Sequence, residues 1–543
     1  MRLGPGAPGG RSPRLPRMAG TACGAHPRRA GPARSGGLHA VSARYVLALD
    51  EGSTSARAVL VSLDGMIVAE ARHPVTPLFP KPRWVELDPV ALWEAQRNSM
   101  QAVMAKVGAT TDDLAAVGIT THRESCLLWD RRTGKPVHNA IMWMSKQTDG
   151  IVQRWSTDGL DPEFRQRTGL FNDSFFSAAK LAWVLENVPG VRERAQRGEL
   201  AAGTVDTWLL WQLTGGRSHF TDHSEASRTA LFSLETRDWD EKLLEACGIP
   251  ARLLPPALPS DSHFGDMRPA DVGLPGTSSV PVMAIMGDQQ AGMFGQACFE
   301  GGSVKNTYGT AGVLTANSGQ APAILDGLTA SVGWTAGGTT AYEIEGVVFH
   351  CGQTLQWMRE RLGILSADTD LEELGRRVPD TGGVYIVPAF AGLCAPHWSR
   401  DSKASIVGLT LESSAEHIVR AGIEAMAYQT RDNIDVLVAG GNPVPELKVD
   451  GGAARSNLLC QFQADILGVP VLRPTELERT ALGVAHLAGM GAGLWGRDDL
   501  ATGWHLDRVF EPAMSADRRE ELYAGWCDAV RTVTGRNPGP GTL

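Results

Sequence analysis

Tyr45-Val-Leu-Ala-Leu-Asp50-Glu-Gly-Ser-Thr-Ser55-Ala-Arg57-Ala-Val-Leu-Val-Ser-Leu63 holds two apolar, strand-type runs separated by a turn of small hydroxyl residues and one glycine. Asp64-Gly65 then turns the chain into Met66-Ile-Val-Ala69, so the stretch predicts a strand meander. In the second half of the chain, Ser303-Val-Lys-Asn-Thr-Tyr308, the turn Gly309-Thr-Ala-Gly312 and Val313-Leu-Thr-Ala316 repeat the plan. Helical patterns at 178–186 and 415–437 alternate with short apolar runs at 116–119, 280–285, 384–387 and 447–449. That alternation predicts α/β layers rather than a sandwich or a bundle, with two related units facing a cleft.

The length of 543 residues exceeds what one core sustains, and two domains of roughly 200–250 residues each are expected. With 43% hydrophobic and 20% charged residues the chain has a globular composition. Its net charge of −9 argues against nucleic acid or an anionic membrane surface as the main partner. No apolar run approaches the ~18 residues of a spanning helix, so membrane insertion is not expected. The eight cysteines form no CxxC pair and no cluster with histidine, which suits a reducing cytoplasm and leaves no zinc or disulfide framework. Residues 1–42 carry seven arginines and no acid, leaving the remainder near −16 once this +7 is taken from −9. Rich in Gly, Pro and Ala and without hydrophobic periodicity, this segment reads as a disordered basic tail or as a start codon assigned too far upstream.

Four segments could carry chemistry. Asp50-Glu-Gly-Ser-Thr-Ser55, with Arg57 beyond, offers backbone N–H groups and hydroxyls to phosphate and a carboxylate to Mg²⁺; a hairpin turn with a capping Asp is the plainer alternative. Gly287-Asp288-Gln289-Gln290 follows a buried-strand pattern, which suits Asp288 either to a rigid base or to a helix cap. In Thr121-His-Arg123-Glu124 a donor fork beside an acceptor could read the vicinal hydroxyls of a polyol, although adjacent opposite charges are more often a solvated pair. Val449-Asp-Gly-Gly452-Ala, with Ser456 beyond, lets backbone approach a nucleotide at a helix start. No Walker motif exists, because Gly134-Lys135 is followed by Pro136, and Gly491-Ala-Gly-Leu-Trp-Gly496 follows a helical pattern and reads as a helix end.

In this order these elements resemble the FGGY family of carbohydrate kinases, from about Tyr45 to Trp526. Further matching segments are Phe79-Pro-Lys-Pro-Arg-Trp84, Asn139-Ala-Ile-Met-Trp143, Phe175-Phe-Ser-Ala-Ala-Lys180, Glu225-Ala-Ser-Arg228, Lys305-Asn-Thr-Tyr-Gly-Thr310 and Thr480-Ala-Leu-Gly483. The resemblance implies an α/β fold of two actin-like (ribonuclease H-like) ATPase domains flanking a nucleotide cleft, at 43–297 and 298–543. It implies ATP-dependent phosphorylation of glycerol to sn-glycerol 3-phosphate, with ATP and Mg²⁺ as cofactors, and leaves a homo-oligomer open. Carried over residue by residue, Asp288 is the catalytic base, and Arg123, Glu124, Trp143, Phe175, Asp288 and Gln289 hold the polyol. Ser53, Thr54, Ser55, Arg57, Thr310, Gly352, Gln356, Gly452 and Ser456 contact ATP, and Asp50 and Asp288 the metal.

Several positions depart from the pattern of the glycerol-phosphorylating members. Phe175 lacks the hydroxyl of a Tyr that helps hold the polyol, a loss of about 0.5–1.5 kcal/mol. Val313 replaces a Phe and widens the pocket; Thr121-His122 stands for Asn-Gln, Ser456 for an Asn, and Glu51 for a Gln beside the metal carboxylate. Ala311 stands for a Gly, where a methyl group opposes close approach of backbone to phosphate and Gly312 offers compensation. The competing expectations are therefore a kinase for another small polyol or ketose, and a catalytically silent nucleotide-binding regulator. Thr277-Ser278-Ser279 lacks the basic residue with which some bacterial members sense fructose 1,6-bisphosphate, so no such inhibition is expected.

Overall fold

A computed structural model describes residues 43–363, 365–366 and 368–535. The basic segment 1–42 lies outside the described residues. The N-terminal meander forms as the sequence predicts: β1 (Tyr45–Glu51), β2 (Ser55–Ser62) and β3 (Ile67–Pro74) pair antiparallel in that order. With β4 (Leu114–Thr121), β5 (Gly265–Met267) and β6 (Val280–Gly287) they make a six-stranded sheet of order β5-β6-β4-β1-β2-β3. β4 runs parallel to β1, and β6 parallel to β4. Leu47 and Leu49 face one apolar cluster and Val46 and Ala48 another, so both faces of the sheet are covered, as parallel pairing requires.

Helix α1 (Pro89–Val107) covers one face. It is started by Asp88, whose carboxylate accepts from Val90 N at 2.8 Å, and by Pro89 in its first turn. Ser177–Asn187 forms α2. Directly after β6 comes α3 (Asp288–Gly295), which places Asp288 at the end of a buried strand and the start of a helix.

The second half repeats the design around β7 (Val304–Tyr308) and β8 (Gly312–Gly319), an antiparallel hairpin. β9 (Thr329–Ala336), β10 (Thr339–Val348), β11 (Leu447–Asp450), β12 (Val471–Pro474) and β13 (Leu506–Phe510) complete a seven-stranded sheet of order β9-β10-β8-β7-β11-β12-β13. Its helices include α4 (Gly352–Glu360), α5 (Ala415–Ala439), α6 (Asn457–Leu467) and α7 (Arg479–Gly491).

The last of these crosses over to the first half. α7 packs on α3 with backbones in contact: a Cβ on Gly483 would stand 1.9 Å from the Ala291 carbonyl oxygen, and one on Gly295 2.2 Å from that of Arg479. Gly118 of β4 meets Val484 O in the same way at 2.7 Å. A helix late in the chain is thus fastened to the N-terminal sheet.

Candidate active site

Each sheet contributes one hairpin turn. In the first, Asp50 lies opposite Arg57 in the β1–β2 register, and the two form an ion pair at 2.7 Å. Arg57 also pairs with Glu478, just ahead of α7, so an acid of the second half reaches the first turn. Burial raises the Asp50 carboxyl above its ordinary value, against the pull of Arg57. Ser53 and Ser55 are half-buried and Thr54 is exposed; Gly52 N donates to Ser55 O at 3.0 Å, which closes the turn. Glu51 is fully buried, both its oxygens lack a hydrogen-bond partner, and burial pushes its carboxyl well above the ordinary value. In its protonated form it is close in shape to the Gln it replaces.

The second turn is built from backbone. Gly309 N donates to Ala311 O at 3.0 Å, and Thr310 is exposed at its tip. The start of α4 is tied to it, with Gly352 N donating to Gly309 O at 3.0 Å and Cys351 N to Thr310 O at 3.0 Å. Ala311 is absent from the residues with positive φ, so its methyl group sits there without backbone strain. Gly451 has φ +83 and meets the backbone of Tyr308; a Cβ on Gly452 would stand in open space. Gly352, Thr310 and Gly452 therefore share one neighbourhood. Gln356 is exposed on α4 and bonds Glu360 at 2.9 Å, while Ser456 Oγ accepts from Leu459 N at 3.1 Å as the cap of α6.

Between the turns lies the cluster expected to hold a polyol. Glu124 follows β4 with φ +63, a left-handed conformation that a Glu rarely adopts and that costs on the order of 1–3 kcal/mol. The strained residue turns away from its neighbour: Arg123 Nε reaches Asp288 Oδ1 at 3.1 Å but stands 4.0 Å from Glu124. Arg123 also contacts Glu345 of β10 at 2.6 Å and Gln290 at 3.2 Å. Burial opposes its charge, yet Glu345, Glu124, Asp288 and Glu343 hold it well above the ordinary arginine value. The pair is therefore buried and separately engaged, not a solvated ion pair.

The cap of α3 is Gly287, and Asp288 is its first residue, with Oδ1 accepting from Gln289 N at 2.7 Å. Gln289 Oε1 in turn accepts from the buried Lys305 Nζ at 2.7 Å. Trp143 and Phe175 meet edge to face at 5.6 Å, and Trp143 Nε1 donates to Ser53 Oγ at 2.8 Å, joining the aromatic wall to the first turn. Phe349, from the second half, lies 6.3 Å from Phe175 and packs against the cluster containing Val313, so an aromatic ring borders the space that Val313 leaves.

Comparison with known proteins fits this geometry. The model of the FGGY family of carbohydrate kinases, N-terminal domain, matches residues 45–295, and that of the C-terminal domain matches residues 304–492. The chain belongs to the FGGY family of carbohydrate kinases. Its fold is the family's pair of actin-like ATPase domains. It is 47% identical over 494 residues to the glycerol kinase of Symbiobacterium thermophilum, covering 90% of this chain and 98% of that one. To the glycerol kinase of Halorhodospira halophila it is 48% identical over 490 residues, with 90% and 96% covered. The crystal structure of Plasmodium falciparum glycerol kinase with ADP superposes with a TM-score of 0.83 at 29% identity, over 90% of this chain and 98% of that one.

Within this FGGY fold, Arg228 and Lys305 lie in segments the sequence marks as matching but without a role, and Glu343, Glu345 and Glu478 were missed. One signal was available: Glu343 and Glu345 alternate within the apolar run of β10, which puts two carboxylates on one buried face. Burial and the neighbouring Glu345 push the Glu343 carboxyl up to about 7. Burial also works on Glu345, but Arg123 and Arg228 outweigh it and hold that carboxyl below its ordinary value.

Proposed function

We propose that this protein phosphorylates glycerol with ATP, giving sn-glycerol 3-phosphate. The observation that carries the reading is Asp288, a part-exposed carboxylate held at a strand end by Arg123 at 3.1 Å, with Glu124 at 4.0 Å from the same guanidinium. Kinship to glycerol kinases over nine-tenths of the chain supports it. Arg123 donates to and Glu124 accepts from neighbouring hydroxyls, while the aromatic wall meets the carbon skeleton and keeps water out. Asp288 accepts the proton of the attacking hydroxyl as its oxygen bonds the γ-phosphorus and the bond to the departing ADP breaks. Mg-ATP supplies the phosphoryl group and spreads its charge.

Ser53, Thr54, Ser55 and Arg57 on one side and Thr310, Gly352, Gln356, Gly452 and Ser456 on the other are the proposed ATP contacts, the open space over Gly452 leaving room for a nucleotide. Among the described residues no three His, Cys, Asp or Glu side chains converge as a metal cage. Asp50 and Asp288 suit Mg²⁺, which takes most of its shell from phosphate and water. We place the divide between domains at 297/298 and the protein in a reducing cytoplasm, where its seven described cysteines stay free thiols. No helix of the described residues is long and apolar enough to cross a membrane.

Phe175 and Val313 keep a second reading in play, a kinase for a longer polyol or a ketose. A panel of glycerol, erythritol, dihydroxyacetone and pentuloses with ATP decides it by kcat/KM. Glycerol is expected to rank first; glycerol ranking well below another acceptor sinks the reading.

A further inference from the structure

Arg228 is fully buried, so no substrate could reach it directly. Its Nε donates to Glu124 Oε1 at 2.7 Å, one terminal nitrogen reaches Glu345 Oε1 at 2.6 Å, and the other the hydroxyls of Thr329 and Ser331 at 3.3 Å each. The second oxygen of Glu345 meets the Arg123 guanidinium at 2.6 Å, and Arg123 continues to Asp288 at 3.1 Å. Glu124, Arg228, Glu345, Arg123 and Asp288 thus form one unbroken run of ion pairs. Four of its members sit in the first half. Glu345, on β10, is the member from the second, and it divides its two oxygens between the two guanidiniums.

We propose that Glu345 is the positioning residue that aligns both polyol-reading side chains across the cleft, Arg123 directly and Glu124 through Arg228. This rests on the polyol reading of Arg123 and Glu124 given above. A planar guanidinium fixes the direction of each donor, so the carboxylate that pins two forks also fixes where their remaining groups point. Because that carboxylate rides on the sheet of the opposite half, separating the halves would strip both buried arginines of a partner. Polyol affinity is thereby coupled to the approach of β10. A buried pair broken on one side leaves an uncompensated charge, and the loss falls on whatever the surviving partner was holding in place.

The test is steady-state kinetics of Glu345→Gln, with Glu424→Gln as the control. Glu424 is an equally buried carboxylate of the second half, paired with Arg420 at 2.6 Å and remote from the run. In Glu345→Gln the KM for glycerol is expected to rise about 30-fold or more. The KM for ATP should stay within about threefold, a split that a general loss of structure would not produce. In Glu424→Gln both constants should stay put. A glycerol KM unchanged in Glu345→Gln, or ATP and glycerol KM rising together, overturns the proposal. Should Glu345→Gln fail to fold, Arg228→Lys takes its place: it keeps the charge and removes the fork, and an unchanged glycerol KM there overturns the proposal equally. Failure of the wild-type protein to phosphorylate glycerol strikes the functional reading instead; the same variants are then read with the acceptor the wild type does use.

Discussion

The two hairpin turns share a plan and differ in what they contribute. The first carries charge: Asp50 and Arg57 face each other across the hairpin, and Glu478 closes on Arg57 from the other half. The second, Gly309-Thr-Ala-Gly312, has no ionisable residue and is held by backbone bonds from the start of α4. In the proposed site one fold used twice divides the work: the first half brings the carboxylates proposed for proton and metal beside the hydroxyls and Arg57 of its turn, and the second brings the N–H groups and hydroxyl proposed for the nucleotide. The division makes an experimental demand. Changes to the first-half carboxylates Asp50 and Asp288 should act on turnover, and changes at the Gly309–Gly312 turn on the KM for ATP.

The most severe way to break the comparison is Asp288→Asn. Turnover is expected to fall by about 10³-fold or more, with ATP affinity retained, because the amide takes no proton from the acceptor hydroxyl. Near-normal turnover in that variant would remove the base from the first half. Asp50→Asn comes next: it leaves Arg57 facing Glu478 and, at 3.6 Å, Glu70. Turnover is expected to drop on the order of a hundredfold and to recover partly at high Mg²⁺. A pure ATP KM effect without loss of turnover would erase the distinction between the turns.

The fold was legible where local pattern dictates structure. Alternating apolar runs broken by Asp-Gly and Gly-Ser turns mark both hairpins, and the helix predicted over 415–437 appears as Ala415–Ala439. The crossing of α3 and α7 was not legible, since it depends on Gly295 and Gly483 letting two backbones touch, and nothing near either glycine in sequence reveals its partner. In the site, Arg123, Glu124 and Asp288 stood out because each follows an apolar run. Arg228 and Glu345, 117 residues apart, did not, because a buried ion pair is a property of tertiary contact. Arg57 is a mixed case: a phosphate contact was expected, and the structure sets Asp50 and Glu478 against it.

A smaller effect sharpens the second turn. Gly352→Ala would place a Cβ 2.7 Å from the Gly309 carbonyl oxygen and push the turn out of line. Overpacking of this kind costs about 1–3 kcal/mol, so the KM for ATP should rise about tenfold. The glycerol KM should hold within about twofold, since the polyol-reading groups lie on other elements. Glycerol KM rising in parallel would mean that the second turn serves both substrates.

The smallest effect comes from a third hydroxyl-rich loop, Thr277-Ser278-Ser279, which shows that such a sequence does not by itself make a phosphate site. The donors of Thr277 and Ser278 are already taken. Thr277 N and Ser278 N reach Asp112 Oδ1 at 3.2 and 2.8 Å, and the hydroxyls of Thr277 and Ser278 do so at 3.0 and 2.5 Å. These bonds from Ser278 and Thr277 pull the Asp112 carboxyl down to about 2, so it stays ionised throughout the neutral range and presents a negative charge where a bisphosphate would need a positive one. At the Gly309–Thr310 turn the supporting bonds end on backbone carbonyls and Thr310 stays exposed. Millimolar fructose 1,6-bisphosphate is therefore expected to change the rate by less than about twofold, because at the loop an anion meets the Asp112 carboxylate and finds the donors of Thr277 and Ser278 engaged. Activity falling by more than half would show that hydroxyl-rich turns bind phosphate here whatever carboxylate already fills them, and the contrast between the filled loop and the open turn would fall with it.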